Sequence, residues 1–327
     1  MNVNRTRRAL LAAASALLPL AAFAQGDAYP DRPVRIVVPY PAGGYYDRVA
    51  RTMVEALKQT FRHGAVVENR VGANGVIGAD YVAKAPPDGY TLLLAAVGPN
   101  AISPALGAKL AYDPVNDFAP ISLLVSAPNV LVVPATSSAK NVADLRKLLL
   151  AKGGRANYAH NGAGSSVHLA MELLKGAAGV QATPIPYKGS APAVLAVTAG
   201  EVDASFGSVL DILPLVQSGK LRAIAVGGTE RISAIPDVPT VAEQGFPGFE
   251  TSAWSGLMAP AGTPPAIVAR LNAAVNAALK DPATIKRLSP GGELQMLGGT
   301  SEHFGTYLRS DIAKWQKVVK ANHIQAE

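Results

Sequence analysis

The chain has 327 residues, of which 49% are hydrophobic and 16% are charged, and its formal net charge is +7. Because it contains no cysteine, the sequence excludes disulfide bonds, thiolate metal sites and cysteine nucleophiles. Its lysines and arginines are scattered, which argues against a nucleic-acid partner, and a mildly positive surface suits a small anionic ligand.

Residues 1–24 are typical of a secretory signal peptide. Arginines precede an apolar run over residues 9–23, and Ala-Phe-Ala at 22–24 resembles a cleavage site. Pro19 interrupts the run, which is also too short to span a bilayer core of about 30 Å, so we favour a signal peptide over a membrane anchor. We expect export to the periplasm with cleavage near Ala24, through either the general or the twin-arginine pathway.

The next part of the chain alternates between β-prone runs and helical patterns. Val49, Met53 and Leu57 recur at helical spacing and predict a helix from about Tyr46 to Gln59. In chain order we predict the strand VRIVVPY, that helix, the strand AVVENR, the helix IGADYVAKA and the strand TLLLAAV. This alternation indicates an α/β protein with parallel-rich sheets.

A long β-prone run, APISLLVSAPNVLVVP, follows at residues 119–134. Because it exceeds an ordinary strand and contains Pro128, we interpret it as a segment that crosses between two lobes. A second α/β set comes next, and a second crossing is expected near FETSAWSGLMAP. Beyond it, Thr263-Pro264 predicts a helix capped by Thr263 with proline at its first position.

These crossings predict two lobes with a ligand cleft between them. We expect residues 25–125 and 253–327 to form lobe 1 and residues 126–252 to form lobe 2.

The first candidate site is the loop PAGGYYD at residues 41–47, between the end of a strand and the start of a helix. Free N–H groups and the helix dipole favour an anion at such a position, and open α/β sheets bind ligands at that edge. In the alternative interpretation, Gly43 and Gly44 only permit a tight turn and Asp47 only caps the helix.

The second candidate is NGAGSSVH at residues 161–168, which also precedes a helix. Its glycines allow a sharp turn, and Ser165 and Ser166 bring hydroxyl and N–H groups to the helix start. No lysine follows at the spacing of a Walker loop, and a plain capping loop is the alternative. If both loops bind, their ligand carries a carboxylate or polar group at each end.

The sequence contains no GxSxG elbow, no HExxH motif and no SxxK followed by its partner motifs. The glycines of VGANGVIGA lack the GxGxxG order, and no two histidines have metal-binding spacing on one helix. Ser165 or Ser166 beside His168 could suggest a nucleophile and base, but residues so close at a helix start do not normally face each other. We therefore expect neither catalysis nor a cofactor, and a packing or hydrogen-bond-donating role for His168.

Several segments together resemble the Bug family, the extracytoplasmic solute receptors of tripartite tricarboxylate transporters. They include YPDRPVRIVVPYPAGG with Asp47, VENRVGANGVIGADYVAKAPPDGYTLLL, YDPVNDFAPISLLVSAPNVLVV, NYAHNGAGSSVHLAMELLK, PYKGSAPAVLAVTAGEVDASF, GKLRAIAV, IPDVPTVAEQGFPGFE and WSGLMAPAGTP. The resemblance implies a two-lobed type II periplasmic binding protein fold, often called a Venus flytrap, that grips a carboxylate mainly through backbone groups and ordered waters.

By position, the resemblance assigns the ligand site to Ala42, Gly43, Gly44, Tyr45, Asp47, Asn100, Ser165, Ser166, Lys188 and Gly189, and to Ser208 and Asp211, which lie where the family varies with ligand. It also implies integral-membrane transporter subunits as partners of the receptor, which we expect to be a monomer.

The sequence departs from the family at Tyr45-Tyr46, where relatives usually carry smaller residues. This bulk puts the common dicarboxylate ligand in doubt, because phenol rings could shorten the pocket, stack on an aromatic or heteroaromatic acid, or hydrogen-bond its second polar group. We favour Tyr45 as the ring that faces the cleft, and the alternative is that one ring packs on the hinge.

Two functions remain open from the sequence. The first is a periplasmic receptor that captures a small organic carboxylate and delivers it to a tripartite tricarboxylate-type transporter. The second is a ligand sensor that docks on a two-component sensor kinase and has no transport role.

Overall fold

The computed structural model describes residues 29–321 and residue 324. The expected signal peptide and its cleavage site fall outside these residues. Within the described part of the chain, no helix combines the length and apolarity needed to cross a membrane.

Lobe 1 begins with alternating strands and helices. They are β1 (Val34–Val38), α1 (Tyr45–Leu57), β2 (Ala65–Asn69), α2 (Val76–Ala83) and β3 (Thr91–Ala96). Strand β1 lies between β2 and β3 and is parallel to both. Helix α1 buries Val49, Met53 and Leu57, as their spacing predicted, and it begins one residue before the predicted start. The apolar face of α1 thereby fixes its first turn at the carboxyl end of β1.

Lobe 2 is a second α/β unit on the strand β4 (Phe118–Pro134). Its other elements are α3 (Val142–Ala151), β5 (Asn157–His160), α4 (Ser166–Ala178), β6 (Thr183–Pro186), α5 (Ser190–Ala199), β7 (Ser205–Ser208), α6 (Val209–Gln217) and β8 (Leu221–Val226). The second half of β4 lies between β7 and β8, and β5 joins this sheet through a bridge between Tyr158 and Ala204. Strand β6 pairs with the other side of β5.

The chain returns to lobe 1 with β9 (Ser252–Pro260), α7 (Pro265–Lys280), α8 (Pro282–Leu288), β10 (Gln295–Met296) and α9 (Ser301–Ala321). The lobe 1 sheet has the order β10-β4-β9-β3-β1-β2. The predicted cap of α7 is wrong, since Pro264 occupies the cap position and the Thr263 hydroxyl donates to the Pro260 carbonyl at 2.8 Å. Thr263 therefore closes the preceding turn.

Strand β4 is continuous for 17 residues and serves both lobes. It pairs with β9 as far as Pro128, which lies opposite Ser252, and pairs with β7 from Asn129 onward. The long β-prone run is thus one strand that exchanges partners, and we place the lobe boundary at this exchange.

Each lobe has its own apolar packing. On one face of the lobe 2 sheet, Leu131 and Val133 of β4 pack with Tyr158 and Phe206. In lobe 1, the indole N–H groups of Trp254 and Trp315 donate to the same Asp311 carboxylate oxygen at 2.7 and 3.2 Å. This shared acceptor ties α9 to β9 and satisfies polar groups that are otherwise costly to bury.

Candidate functional site

We expect the ligand beyond the carboxyl ends of β1 and β3 in lobe 1 and of β5 and β7 in lobe 2. Each is followed by a turn or helix start, and ligands of such sheets bind beyond the carboxyl ends of the strands. The sequence-predicted loops at residues 41–47 and 161–168, called here the first and second loops, follow β1 and β5.

The first loop leaves the start of α1 uncapped. Gly43 has a φ of +84°. Because Gly44 occupies the cap position, no side chain accepts a hydrogen bond from the first N–H groups of the helix. Among the described residues, the amides of Tyr45 and Tyr46 form no hydrogen bond. Since Ala42, Gly43 and Gly44 are exposed, an anion could reach these donors without meeting a side chain.

Asp47 has an internal role in this loop. Its carboxylate accepts hydrogen bonds from the Gly43 amide, the Arg51 guanidinium and the Asn69 side chain, at 2.8 to 2.9 Å. Burial alone would raise the pKa of Asp47, but these three donors outweigh it and lower the pKa. The acid thus holds Gly43, the residue before the cap position, in place, whereas the capping of α1 by Asp47 that the sequence left open as an alternative does not occur, since no side chain caps this helix.

The tyrosines pack beside the first loop. The Tyr45 hydroxyl lies 3.4 Å from the carbonyl oxygens of Val125 and Ala253, on the two strands near the exchange between lobes. The Tyr46 ring stacks on Tyr40 with 4.5 Å between centroids. Burial raises the pKa of both Tyr45 and Tyr46. These contacts favour the hinge-packing alternative for Tyr45 over the cleft-facing orientation that the sequence suggested.

The second loop ends in a capped helix. Gly162 and Gly164 both have positive φ, at +130° and +68°. The Ser165 hydroxyl accepts the His168 amide at 3.2 Å and caps α4, while Ser166 is the first helical residue. Ser165 is buried and Ser166 is partly exposed, so Ser166 has the more accessible hydroxyl of the pair.

Two stacked histidines, His160 and His168, accept hydrogen bonds from the second loop. Their rings lie 4.5 Å apart, and His160 Nδ1 and His168 Nδ1 accept the amides of Gly162 and Gly164 at 3.3 and 3.2 Å. Burial, then the neighbouring His160, lowers the pKa of His168 to about 4. Because Nδ1 must be unprotonated to accept, His168 is a hydrogen-bond acceptor toward the loop and not the donor that the sequence suggested, while its stacking on His160 agrees with the suggested packing role.

Two polar contacts join the lobes across the cleft. The Asn74 side chain of lobe 1 donates to the Gly164 carbonyl of lobe 2 at 2.9 Å. Arg48, in the second turn of α1, lies 3.7 Å from Asp211 in the first turn of α6. The start of α1 therefore faces lobe 2.

Asn74 was not identified from the sequence as a site residue. It has a φ of +50°, a conformation that asparagine tolerates better than most residues, and its backbone oxygen lies 3.3 Å from the Tyr40 hydroxyl. The sequence feature that could have pointed to Asn74 is its place among the closely spaced glycines of VGANGVIGA.

The remaining predicted site residues occupy the rim and floor of the cleft region. The Asn100 side chain is buried in the turn after β3 and accepts the Ala96 amide at 3.0 Å. Lys188 is exposed, and Gly189 precedes α5 with a φ of +106°. Ser208 caps the start of α6 by position, without a side-chain hydrogen bond to that helix.

Asp211 is connected to the second loop through Ser190. Burial raises the pKa of Asp211, while the Arg48 charge and the Ser190 hydroxyl oppose that increase. The same hydroxyl accepts the Asn161 side chain at 3.1 Å. Thus α1, α6 and the second loop share one polar network, and the described residues contain no cluster of three potential metal ligands.

Comparison with known proteins supports the resemblance to the Bug family. A family model described as tripartite tricarboxylate transporter family receptor matches residues 49–324. BugT of Bordetella pertussis is 36% identical over 302 residues, which is 92% of each chain.

Solved structures show the same fold. The chain is similar to Rpa4515 of R. palustris, solved with adipate, with a TM-score of 0.85 and 35% identity over 91% of this chain and 99% of the other. It is also similar to MatC of Rhodopseudomonas palustris, solved with bound malate, with a TM-score of 0.80 and 35% identity over 89% and 100% of the two chains. The predicted two-lobed type II fold is confirmed.

Proposed function

Because the chain belongs to the tripartite tricarboxylate transporter family of solute-binding receptors, we propose that it captures a small organic carboxylate in the periplasm. The ligand is held between the two lobes and handed to integral-membrane transporter subunits.

The uncapped start of α1 is the observation that carries this proposal. The amides of Tyr45 and Tyr46 lie behind the exposed Gly43-Gly44 turn, and the Arg48 contact with Asp211 orients this end of the helix toward lobe 2. A carboxylate placed there would accept hydrogen bonds from these two N–H groups, which otherwise lack partners among the described residues. It would also lie at the positive end of the helix dipole.

The second loop supplies donors from the opposite lobe. Ser166 presents a partly exposed hydroxyl at the start of α4, next to Gly164, which already contacts Asn74 of lobe 1. A ligand that touches both loops binds the closed form better than the open form, so binding and closure are coupled.

The ligands named for related structures, adipate and malate, are small dicarboxylates. They support an organic acid as the ligand class here. The packing of Tyr45 on the hinge also weakens the argument that the two tyrosines exclude a dicarboxylate, since that ring is withdrawn from the loop surface.

A thermal-shift screen of the mature protein tests the ligand class. We expect a carboxylate among succinate, malate, adipate, citrate, glutamate and benzoate to raise the melting temperature, because a ligand that binds only the folded state stabilises it. Calorimetry then gives the affinity, and chemical recovery of the unchanged acid distinguishes binding from turnover. If none of the acids shifts the transition or binds by calorimetry, the proposed ligand class is wrong.

Delivery to a transporter requires a separate test in cells. Deletion of the gene should abolish uptake of the radiolabelled acid found in the screen, and a plasmid copy should restore it. Normal uptake with lost induction of neighbouring genes would instead indicate the sensor function.

A further inference from the structure

Three side chains near the exchange point of β4 have buried polar atoms without protein partners. These atoms are both the amide nitrogen and oxygen of Asn129, the hydroxyl of Thr251 and the hydroxyl of Ser208, and none forms a hydrogen bond within the described part of the chain. Asn129 and Thr251 are fully buried. Buried polar groups in folded proteins are nearly always paired, so these atoms point to a partner such as water or a ligand group.

The three residues lie close together in the fold. Asn129 is the register partner of Ser208 across β4 and β7, which puts their side chains on the same face of the sheet. The backbone N–H of Asn129 also donates to the backbone carbonyl of Thr251 at 3.3 Å. Gly227 lies directly against the Thr251 side chain, since a Cβ atom added at position 227 would be 2.4 Å from the Thr251 hydroxyl.

This cluster, called here the hinge-floor cluster (Asn129, Ser208 and Thr251), is positioned at the cleft. Ser208 is the carboxyl-terminal residue of β7, the end of the strand where ligands of such sheets bind. Asn129 is the first residue of β4 to pair within lobe 2. The cluster therefore lies at the base of the cleft, where the two lobes meet.

The chemistry of the cluster favours an uncharged polar group. Its atoms are one amide and two hydroxyls, which can both donate and accept hydrogen bonds. The carboxylate of Asp211, in the first turn of α6, would repel an anionic ligand group bound at the start of that helix, beside Ser208. The cluster also contains no lysine or arginine that would attract an anion. A hydroxyl or ketone oxygen suits these partners better than a carboxylate does.

We propose that the hinge-floor cluster recognises a hydroxyl or carbonyl substituent on the carbon chain of the bound acid. This inference rests on the proposed function, because the first loop must hold the carboxylate for the substituent to reach the cluster. It makes the receptor selective for hydroxy or oxo acids over their unsubstituted counterparts.

Calorimetry with matched acids tests this selectivity. The pairs are malate with succinate and 2-oxoglutarate with glutarate, measured on the wild type and on Asn129→Leu, Thr251→Val and Ser208→Ala. Thr198→Val is the control, since the Thr198 hydroxyl in the same lobe already donates to the Val194 carbonyl at 2.9 Å. Melting curves identify the variants that fold.

We expect the wild type to bind the substituted acid of at least one pair about 10- to 100-fold more tightly than its partner. The cluster variants should reduce this ratio toward one, and Thr198→Val should leave it unchanged. If the ratio is one in the wild type, or persists in all folded cluster variants, the cluster holds structural water only and the inference is wrong. If the wild type binds no organic acid at all, the proposed function itself fails.

Discussion

The Asn74 side-chain amide donates to the Gly164 carbonyl at 2.9 Å and so connects the glycine-rich turn before α2 in lobe 1 to the second loop in lobe 2. These residues are 90 positions apart in the chain and belong to different lobes. The contact can form only when the lobes are close, and a ligand between them adds to the same closed state.

Replacing Asn74 by Asp should weaken closure. The substitution keeps the size of the side chain and its tolerance of positive φ, but it replaces the N–H donor by an oxygen that repels the Gly164 carbonyl. We expect ligand affinity to fall about 10-fold and the radius of gyration of the ligand-free protein to rise in small-angle X-ray scattering.

Asn74→Gly is the matched comparison, because it permits the same backbone conformation without the repulsion. Its affinity should lie between those of the wild type and Asn74→Asp. Equal affinities in all three proteins would mean that this contact does not influence closure.

Asp47→Asn should destabilise the first loop. The amide cannot accept all three hydrogen bonds that the carboxylate receives from Gly43, Arg51 and Asn69. We expect the free energy of unfolding at pH 7 to fall by about 2 kcal/mol, measured by urea denaturation. The exposed Asp237→Asn is the control and should change stability by less than about 0.5 kcal/mol. A similar small effect in both variants would remove the positioning role of Asp47.

The two serines of the second loop should have separable effects. Ser165→Ala removes the cap of α4 and should lower the free energy of unfolding by about 1 kcal/mol. Ser166 makes no capping bond, so Ser166→Ala should leave stability nearly unchanged and weaken ligand binding. Thermal denaturation and calorimetry on both variants provide the test, and a larger loss of stability in Ser166→Ala would contradict it.

Acid should destabilise the protein through His168. Its pKa falls from 6.5 to about 4 on folding, so the unfolded state binds the proton more readily and stability is lost as the pH drops from about 6.5 through 4. The full loss from this group is roughly 3 kcal/mol.

His168→Asn should remove part of this pH dependence, since its side-chain oxygen can still accept the Gly164 amide. Urea denaturation at pH 7 and pH 4.5 measures the difference, with the exposed His63→Asn as the control. If His168→Asn and the wild type lose equal stability on acidification, another group is responsible.

The sequence was sufficient to predict local elements and the two glycine loops. Helical spacing of Val49, Met53 and Leu57 located α1, and the unusual length of the run at 119–134 indicated the strand shared by the lobes. Both are encoded by residues near one another in the chain, so periodicity and length reveal them.

Contacts between residues far apart in the chain could not be predicted from such local patterns. The orientation of Tyr45 depends on Val125 and Ala253, and the role of Asn74 depends on Gly164. A local pattern shows which residues are able to turn or donate, but tertiary packing determines what they meet. The anion site at the first loop therefore stays a prediction, whereas the cleft-facing direction expected for Tyr45 is not the one that the packing favours.

The most direct test of the receptor assignment is calorimetry on Gly44→Asp beside Gly44→Ala, with the carboxylate that gives the largest thermal shift. Gly44 has an ordinary φ of −78°, and a Cβ there would lie 3.7 Å from the Pro41 carbonyl, so both substitutions fit the backbone. Aspartate at this position can cap α1 itself and places a negative charge where the ligand carboxylate would lie. We predict that Gly44→Asp keeps or raises the melting temperature and weakens binding about 100-fold or more, while Gly44→Ala binds nearly as the wild type does. Unchanged affinity in folded Gly44→Asp would contradict the carboxylate site at α1.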